Sequence, residues 1–97
     1  MNVRLDAGDV IRLRANFTSL GIDVDPDTVV FKAKAPDGQV QTWTYGADPE
    51  VIRLGPGHYY LDLHLTAGGT WHVRVEGHGA YQSADEQQLA VRESAFA

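Results

Sequence analysis

His58-Tyr59-Tyr60-Leu61-Asp62-Leu63-His64-Leu65 alternates at every step. Tyr59, Leu61, Leu63 and Leu65 fall on one side, and His58, Tyr60, Asp62 and His64 on the other. Successive side chains of a β-strand point to opposite faces, so this stretch reads as a strand with one dry face and one wet face. Thr66-Ala67-Gly68-Gly69 turns the chain, and the period of two resumes with Trp71, Val73 and Val75 set against His72, Arg74 and Glu76. Upstream, Ile11, Leu13, Ala15 and Phe17 oppose Val10, Arg12, Arg14 and Asn16; Val29, Phe31 and Ala33 oppose Val30, Lys32 and Lys34.

The punctuation between these runs is that of hairpins. Pro36-Asp37-Gly38 is the sharpest turn signal, because proline presets φ, Asp accepts local backbone bonds and Gly tolerates positive φ. It is expected to close a hairpin onto Val40–Tyr45. Asp23–Asp27 and Gly46–Pro49 are further turns, and Gly55-Pro56-Gly57 ends a short strand over Val51–Leu54. Gly77-His78-Gly79 reads as a strand break or bulge. Asn2–Leu5 is expected as a short first strand and Glu86–Arg92, with Leu89 and Val91, as the last. Ser83–Ala90 is the one stretch that also accommodates a helical turn or two. No segment carries the i, i+3, i+4, i+7 apolar spacing of a longer amphipathic helix. The expectation is an all-β fold, a sandwich of seven to eight antiparallel strands, with residues 1–93 forming one domain and 94–97 a short C-terminal tail.

Composition fits this reading. The chain has 97 residues, 43% of them hydrophobic, enough for one core and little more. It contains no cysteine, so neither a disulfide nor a thiolate metal site is available. Thirteen acidic and eight basic residues give a net charge of −5. The basic residues Arg4, Arg12, Arg14, Lys32, Lys34, Arg53, Arg74 and Arg92 are scattered, with no run to neutralise adjacent phosphates, which argues against nucleic acid as a partner. No apolar stretch approaches the about 20 residues that span a bilayer. The start, Met1-Asn2-Val3-Arg4-Leu5, lacks a signal-peptide core; a membrane partner is not expected, and first folding in a cytoplasm is.

The order of elements resembles bacterial and phage immunoglobulin-like domains. Asp9-Val10-Ile11-Arg12-Leu13 leads through an Asp-Pro loop to Val29-Val30-Phe31 and then Pro36-Asp37-Gly38. A Gly-x-Tyr strand, Gly57-His58-Tyr59-Tyr60, precedes a Gly-Thr-Trp strand, Gly69-Thr70-Trp71-His72-Val73-Arg74, and Leu89-Ala90-Val91 closes the series. The resemblance covers nearly the whole chain. It implies an immunoglobulin-like β-sandwich and a virion role, as head decoration, neck or tail-associated protein, binding capsid, neck or tail proteins or copies of itself. The sequence departs from antibody-type domains in lacking the inter-sheet cysteine pair and a Trp in the Thr28–Ala35 strand.

Few residue sets invite chemistry. His64 and His72 flank the Thr66–Thr70 turn and would face each other only in a direct hairpin; in an immunoglobulin topology their strands belong to different sheets. Asp23-x-Asp25-x-Asp27 has the alternate carboxylates of a calcium loop, but Thr28 stands where an EF-hand needs glycine and Lys34 where it needs glutamate. Solvated faces and a solvated turn explain both sets as well. Ser19, Ser83 and Ser94 lie in no Gly-x-Ser-x-Gly setting, and no glycine-rich loop precedes a helix, so neither an enzyme nor a bound cofactor is expected. Asn16-Phe17-Thr18 fits the glycosylation sequon, which matters only in a secreted eukaryotic protein. Trp43 and Tyr45 share one face of their strand; buried they are core, exposed they form, with Tyr60, Val10 and Val30 from predicted outer faces, a surface for a protein partner. The rival functions are a carbohydrate-binding or adhesin module stacking sugars on Trp43, Tyr45 or Tyr60, and a small metal-binding protein using the histidines or the acidic loop.

Overall fold

The computed structural model describes residues 5–80 and 82–93. Ten strands follow in chain order: β1 (Leu5–Asp6), β2 (Val10–Asn16), β3 (Thr18–Ser19), β4 (Ile22–Asp23), β5 (Thr28–Lys34), β6 (Val40–Thr44), β7 (Ile52–Gly55), β8 (His58–His64), β9 (Gly69–His78) and β10 (Ser83–Arg92). Among the described residues there is no helix. Three of the strands are two-residue pieces, so the longer ones number seven.

The strands form a five-stranded sheet in the order β1-β10-β9-β5-β6, a three-stranded sheet in the order β2-β8-β7, and the small β3–β4 ribbon. Hairpins arise where the turn residues stand. At the Pro36-Asp37-Gly38 turn the Gly38 N–H donates to the Ala35 carbonyl (2.9 Å), and the Gln39 N–H donates to Asp37 Oδ1 (3.0 Å). β8 and β9, joined by Leu65–Gly68, enter different sheets. All neighbours are antiparallel except β1, which runs parallel to β10 with Leu5 opposite Val91. That pair corrects the expectation of a purely antiparallel fold.

The inner faces of the two larger sheets meet in a sandwich-like core. Phe17, Val29, Phe31, Val51, Tyr59 and Leu61 pack at one end; Ala33, Leu63, Leu65, Trp71, Val73 and Val91 at the other. Leu13 and Trp43 touch both groups. Apart from Val51, which precedes β7, and Trp43, these are the residues on the dry side of each alternating run, and each large one contributes about 1.5–3 kcal/mol on burial. Trp71 satisfies its indole by donating to the Ala67 carbonyl at 2.9 Å.

Four details differ from the sequence expectation. Ser83–Ala90 is strand throughout, paired residue for residue with β9. Gly77 lies inside β9 instead of ending it; a side chain there would meet Phe17 and Pro26, which pack over the strand. The first strand is Leu5–Asp6, residues 2–4 lying outside the described residues, as do 94–97. The β3–β4 ribbon was not expected at all.

Candidate functional site

One end of the molecule is tied together by Asp25. The chain leaves β2 at Phe17, whose N–H donates to the Gly57 carbonyl (2.8 Å), and returns when the Val24 N–H donates to the Phe17 carbonyl (3.0 Å). This closes the ten-residue path from Phe17 to Pro26 onto the β7–β8 turn. Asp25 then fastens it. Its Oδ2 accepts from Arg53 Nη2 (2.7 Å), and its Oδ1 accepts from the Gly57 N–H (2.8 Å), the Tyr59 hydroxyl (2.8 Å) and Arg53 Nε (3.3 Å). Arg53, then the Gly57 N–H, then the Tyr59 hydroxyl hold the Asp25 carboxyl well below the usual carboxylate range. Burial first, and then the bond to Asp25, pushes the Tyr59 phenol up. Edge-on contacts extend the group: Phe17 meets Tyr59 with ring centres 5.9 Å apart, and Tyr45 meets Tyr59 at 5.3 Å. A carboxylate held so low stays ionised and does not serve as a general acid near neutrality. The arrangement makes a stiff mount.

The mount carries the β3–β4 ribbon. Ser19 pairs with Ile22 and Thr18 with Asp23, leaving Leu20-Gly21 as a two-residue turn. Both turn residues have positive φ, 51° at Leu20 and 79° at Gly21, as a type I′ turn requires. Leu20 is the only non-glycine residue with positive φ among the described residues. A branched apolar side chain in this region costs on the order of 1–2 kcal/mol. It recovers nothing by burial, because Leu20 is 100% exposed and Ile22 68% exposed. The hairpin is thus an apolar tip on a strained backbone, held by an anchor, Asp25 with Arg53, that is itself partly exposed.

The carboxylates of the proposed calcium loop do not converge. Asp25 is committed to Arg53, Gly57 and Tyr59; Asp23 Oδ2 lies 3.1 Å from His58 Nε2; Asp27 packs against Gly79. Among the described residues no group of three or more His, Asp or Glu is placed to hold a metal ion. His64 stands on β8 opposite Val10 and His72 on β9 opposite Gln88, on separate sheets, so the two histidines do not meet.

The predicted interface residues are dispersed too. Trp43 turns inward, half-buried against both parts of the core, the first of the two alternatives its sequence left open. Tyr45, 44% exposed, leans on Tyr59 at the anchored end. Tyr60 is on the outer face of the three-stranded sheet with the Arg12 guanidinium 3.9 Å over its ring, and Arg12 also pairs with Asp62 (2.9 Å). Val10, 62% exposed, shares that face, whereas Val30 is half-buried on the outer face of the other sheet. These five residues do not make one patch. Beside Val30, Glu76 accepts from Arg74 Nε (2.6 Å), His78 Nε2 (2.9 Å) and Lys32 Nζ (3.0 Å), contacts that draw its carboxyl down to about 2, Arg74 having the largest effect.

Leu20 and Ile22 were not singled out by sequence reasoning. The signal was present: an X-Gly pair between Thr18-Ser19 and Ile22-Asp23 is a two-residue hairpin loop. Compared with known proteins, the chain matches no protein-family model and no curated protein.

Proposed function

We propose that this protein is a non-enzymatic interaction module of a phage particle, an immunoglobulin-like domain that seats the Leu20/Ile22 hairpin in an apolar pocket of a capsid, neck or tail protein. The observation that carries the reading is the fully exposed Leu20 at positive φ on a mount fixed by Asp25. Backbone strain of this kind is held in place by the structure around it and clusters at binding and switch sites.

The immunoglobulin-like assignment is supported by strand order. The neighbours β10-β9-β5-β6 correspond to G-F-C-C′ of a variable-type domain, β2-β8-β7 to B-E-D, and β1 to the A strand that joins G in parallel. In that correspondence the hairpin belongs to the B–C connection, at the end such domains use for recognition; this is analogy of fold. The virion assignment rests on the resemblance in strand order and turn residues. A sugar-binding platform is not favoured, since Trp43 faces the core and Arg12 covers Tyr60.

Leu20→Asn tests the reading. Asn tolerates the left-handed region, so the isolated variant should be more stable by about 1 kcal/mol, and yet lose its partner. Particles purified on a density gradient should carry the wild-type chain and lack the variant. Wild-type chain missing from such particles would sink the virion assignment, and variant retained in them would sink the role of the hairpin.

A further inference from the structure

The β3–β4 hairpin is fastened to the body at one side chain. Among the described residues, the segment from Thr18 to Asp23 makes a single side-chain bond to the rest of the protein, from Asp23 to His58. The backbone bonds of Phe17 and Val24 and the contacts of Asp25 lie just outside that segment. His58 opens β8 on the outer face of the three-stranded sheet, opposite Asn16, the last residue of β2. Its ring stands between two elements: Nδ1 is 2.8 Å from Asn16 Oδ1, and Nε2 is 3.1 Å from Asp23 Oδ2. An acceptor oxygen thus faces each ring nitrogen. A neutral imidazole carries one N–H and donates to only one of them, whereas an imidazolium donates to both.

We propose that His58 is a positioning residue for the Leu20/Ile22 hairpin, a clasp that grips when the imidazole is charged and loosens when it is neutral. A proton gained lets the ring serve both oxygens and sets a cation against the Asp23 carboxylate. With the proton lost, the Asn16 amide must turn over to donate, or one of the two contacts lapses. The other charged groups on the surrounding elements do not replace Asp23. Arg53 on β7 is committed to Asp25, and Asp25 also to Gly57 and Tyr59. Arg14 stands on the same face of β2 as Asn16, two residues away and opposite Tyr60, a like charge that Asp23, in direct contact, offsets. Histidine side chains change charge between about pH 5 and 8, where carboxylates stay ionised, so the clasp tightens as pH falls through that range. The His58 side chain is 42% exposed and that of Asp23 50%. Exposed pairs of this kind move an equilibrium by no more than about fivefold, enough to steady or free the tip and too little to unfold the domain. The consequence for a partner rests on the hairpin reading; the clasp itself does not.

Amide nitrogen relaxation on the whole chain tests the clasp without a partner. The order parameters of Gly21 and Ile22 should fall by about 0.1 or more as pH rises from about 5.5 to about 8, on a scale where rigid backbone stands near about 0.85. The ring nitrogen shifts of His58 should titrate with the same midpoint as that change. His58→Gln retains a donor for Asp23 but does not titrate, and Asp23→Asn removes the facing charge. Each should make the tip indifferent to pH, although His64, His72 and His78 are still present. Should either variant fail to fold, the match of midpoints between ring and tip in the wild-type chain decides alone. Order parameters that stay flat across the range in the wild-type chain would overturn the proposal, as would a pH response that survives in His58→Gln. Failure here leaves the contact role of the hairpin standing, and failure of that role, read from Leu20→Asn on particles, leaves the clasp standing.

Discussion

Gly57 shows how much of the anchored end depends on single atoms. It has φ of +76°, and a Cβ there would lie 2.5 Å from the Phe17 carbonyl oxygen and 3.0 Å from that of Val24. Both oxygens belong to backbone that cannot retreat without breaking the bonds that close the β2–β5 connection. Gly57→Ala should cost at least about 2 kcal/mol in urea unfolding, combining the positive-φ penalty with the steric one. Asp25 displays the limit of reading residues singly. Alternating carboxylates at 23, 25 and 27 have the spacing of a cation loop, but the cation is Arg53, in another strand 28 residues away. Nothing in local spacing reveals such a partner. His64 and His72 teach the converse, since the sandwich topology expected from the strand pattern already separates them.

At the scale of elements, legibility followed coverage. β8, β5 and β9 have dry faces buried under the opposite sheet, and their alternation is plain in sequence. β10 is covered only at its C-terminal end, so Leu89 and Val91 are apolar while Ser83, Asp85 and Gln87 on the same side are not. Its first half thus carries no period at all, and that is why a helical turn remained an alternative there. The β3–β4 ribbon is too short for a period to exist and is visible only through its turn residues. If Leu20 is strained as its φ indicates, Leu20→Gly as well as Leu20→Asn should raise the melting temperature, while Ile22→Thr, with negative φ, should leave it nearly unchanged.

For the whole molecule, the carboxylates set the acid limit. Glu76 titrates at about 2 against an ordinary 4.5, and Asp25 is also held far below its ordinary 3.8. As pH falls, the unfolded chain takes up these protons first, so acid favours unfolding. The stabilisation is complete above about pH 5 and is lost as pH drops through 4 toward 2. Melting temperature measured across that window should fall steeply, and less steeply in Asp25→Asn. Glu76→Gln should flatten the profile too and cost about 1–3 kcal/mol at neutral pH, because the amide removes the negative charge facing Lys32 and Arg74 and turns one of the two acceptor oxygens into a donor.

The parallel β1–β10 junction gives the molecule a mechanical direction. Beyond the paired strands, the Ala7 N–H donates to the Arg92 carbonyl (2.8 Å) and Arg92 Nε to Asp6 Oδ1 (2.7 Å). Tension applied through Leu5 and Arg92 pulls the two strands past each other along their length, so these bonds are loaded together and must fail together. Peeling from the β6 or β7 side would open its bonds one after another. Set in an assembly under load, the domain would bear stretch along one axis and yield along the other.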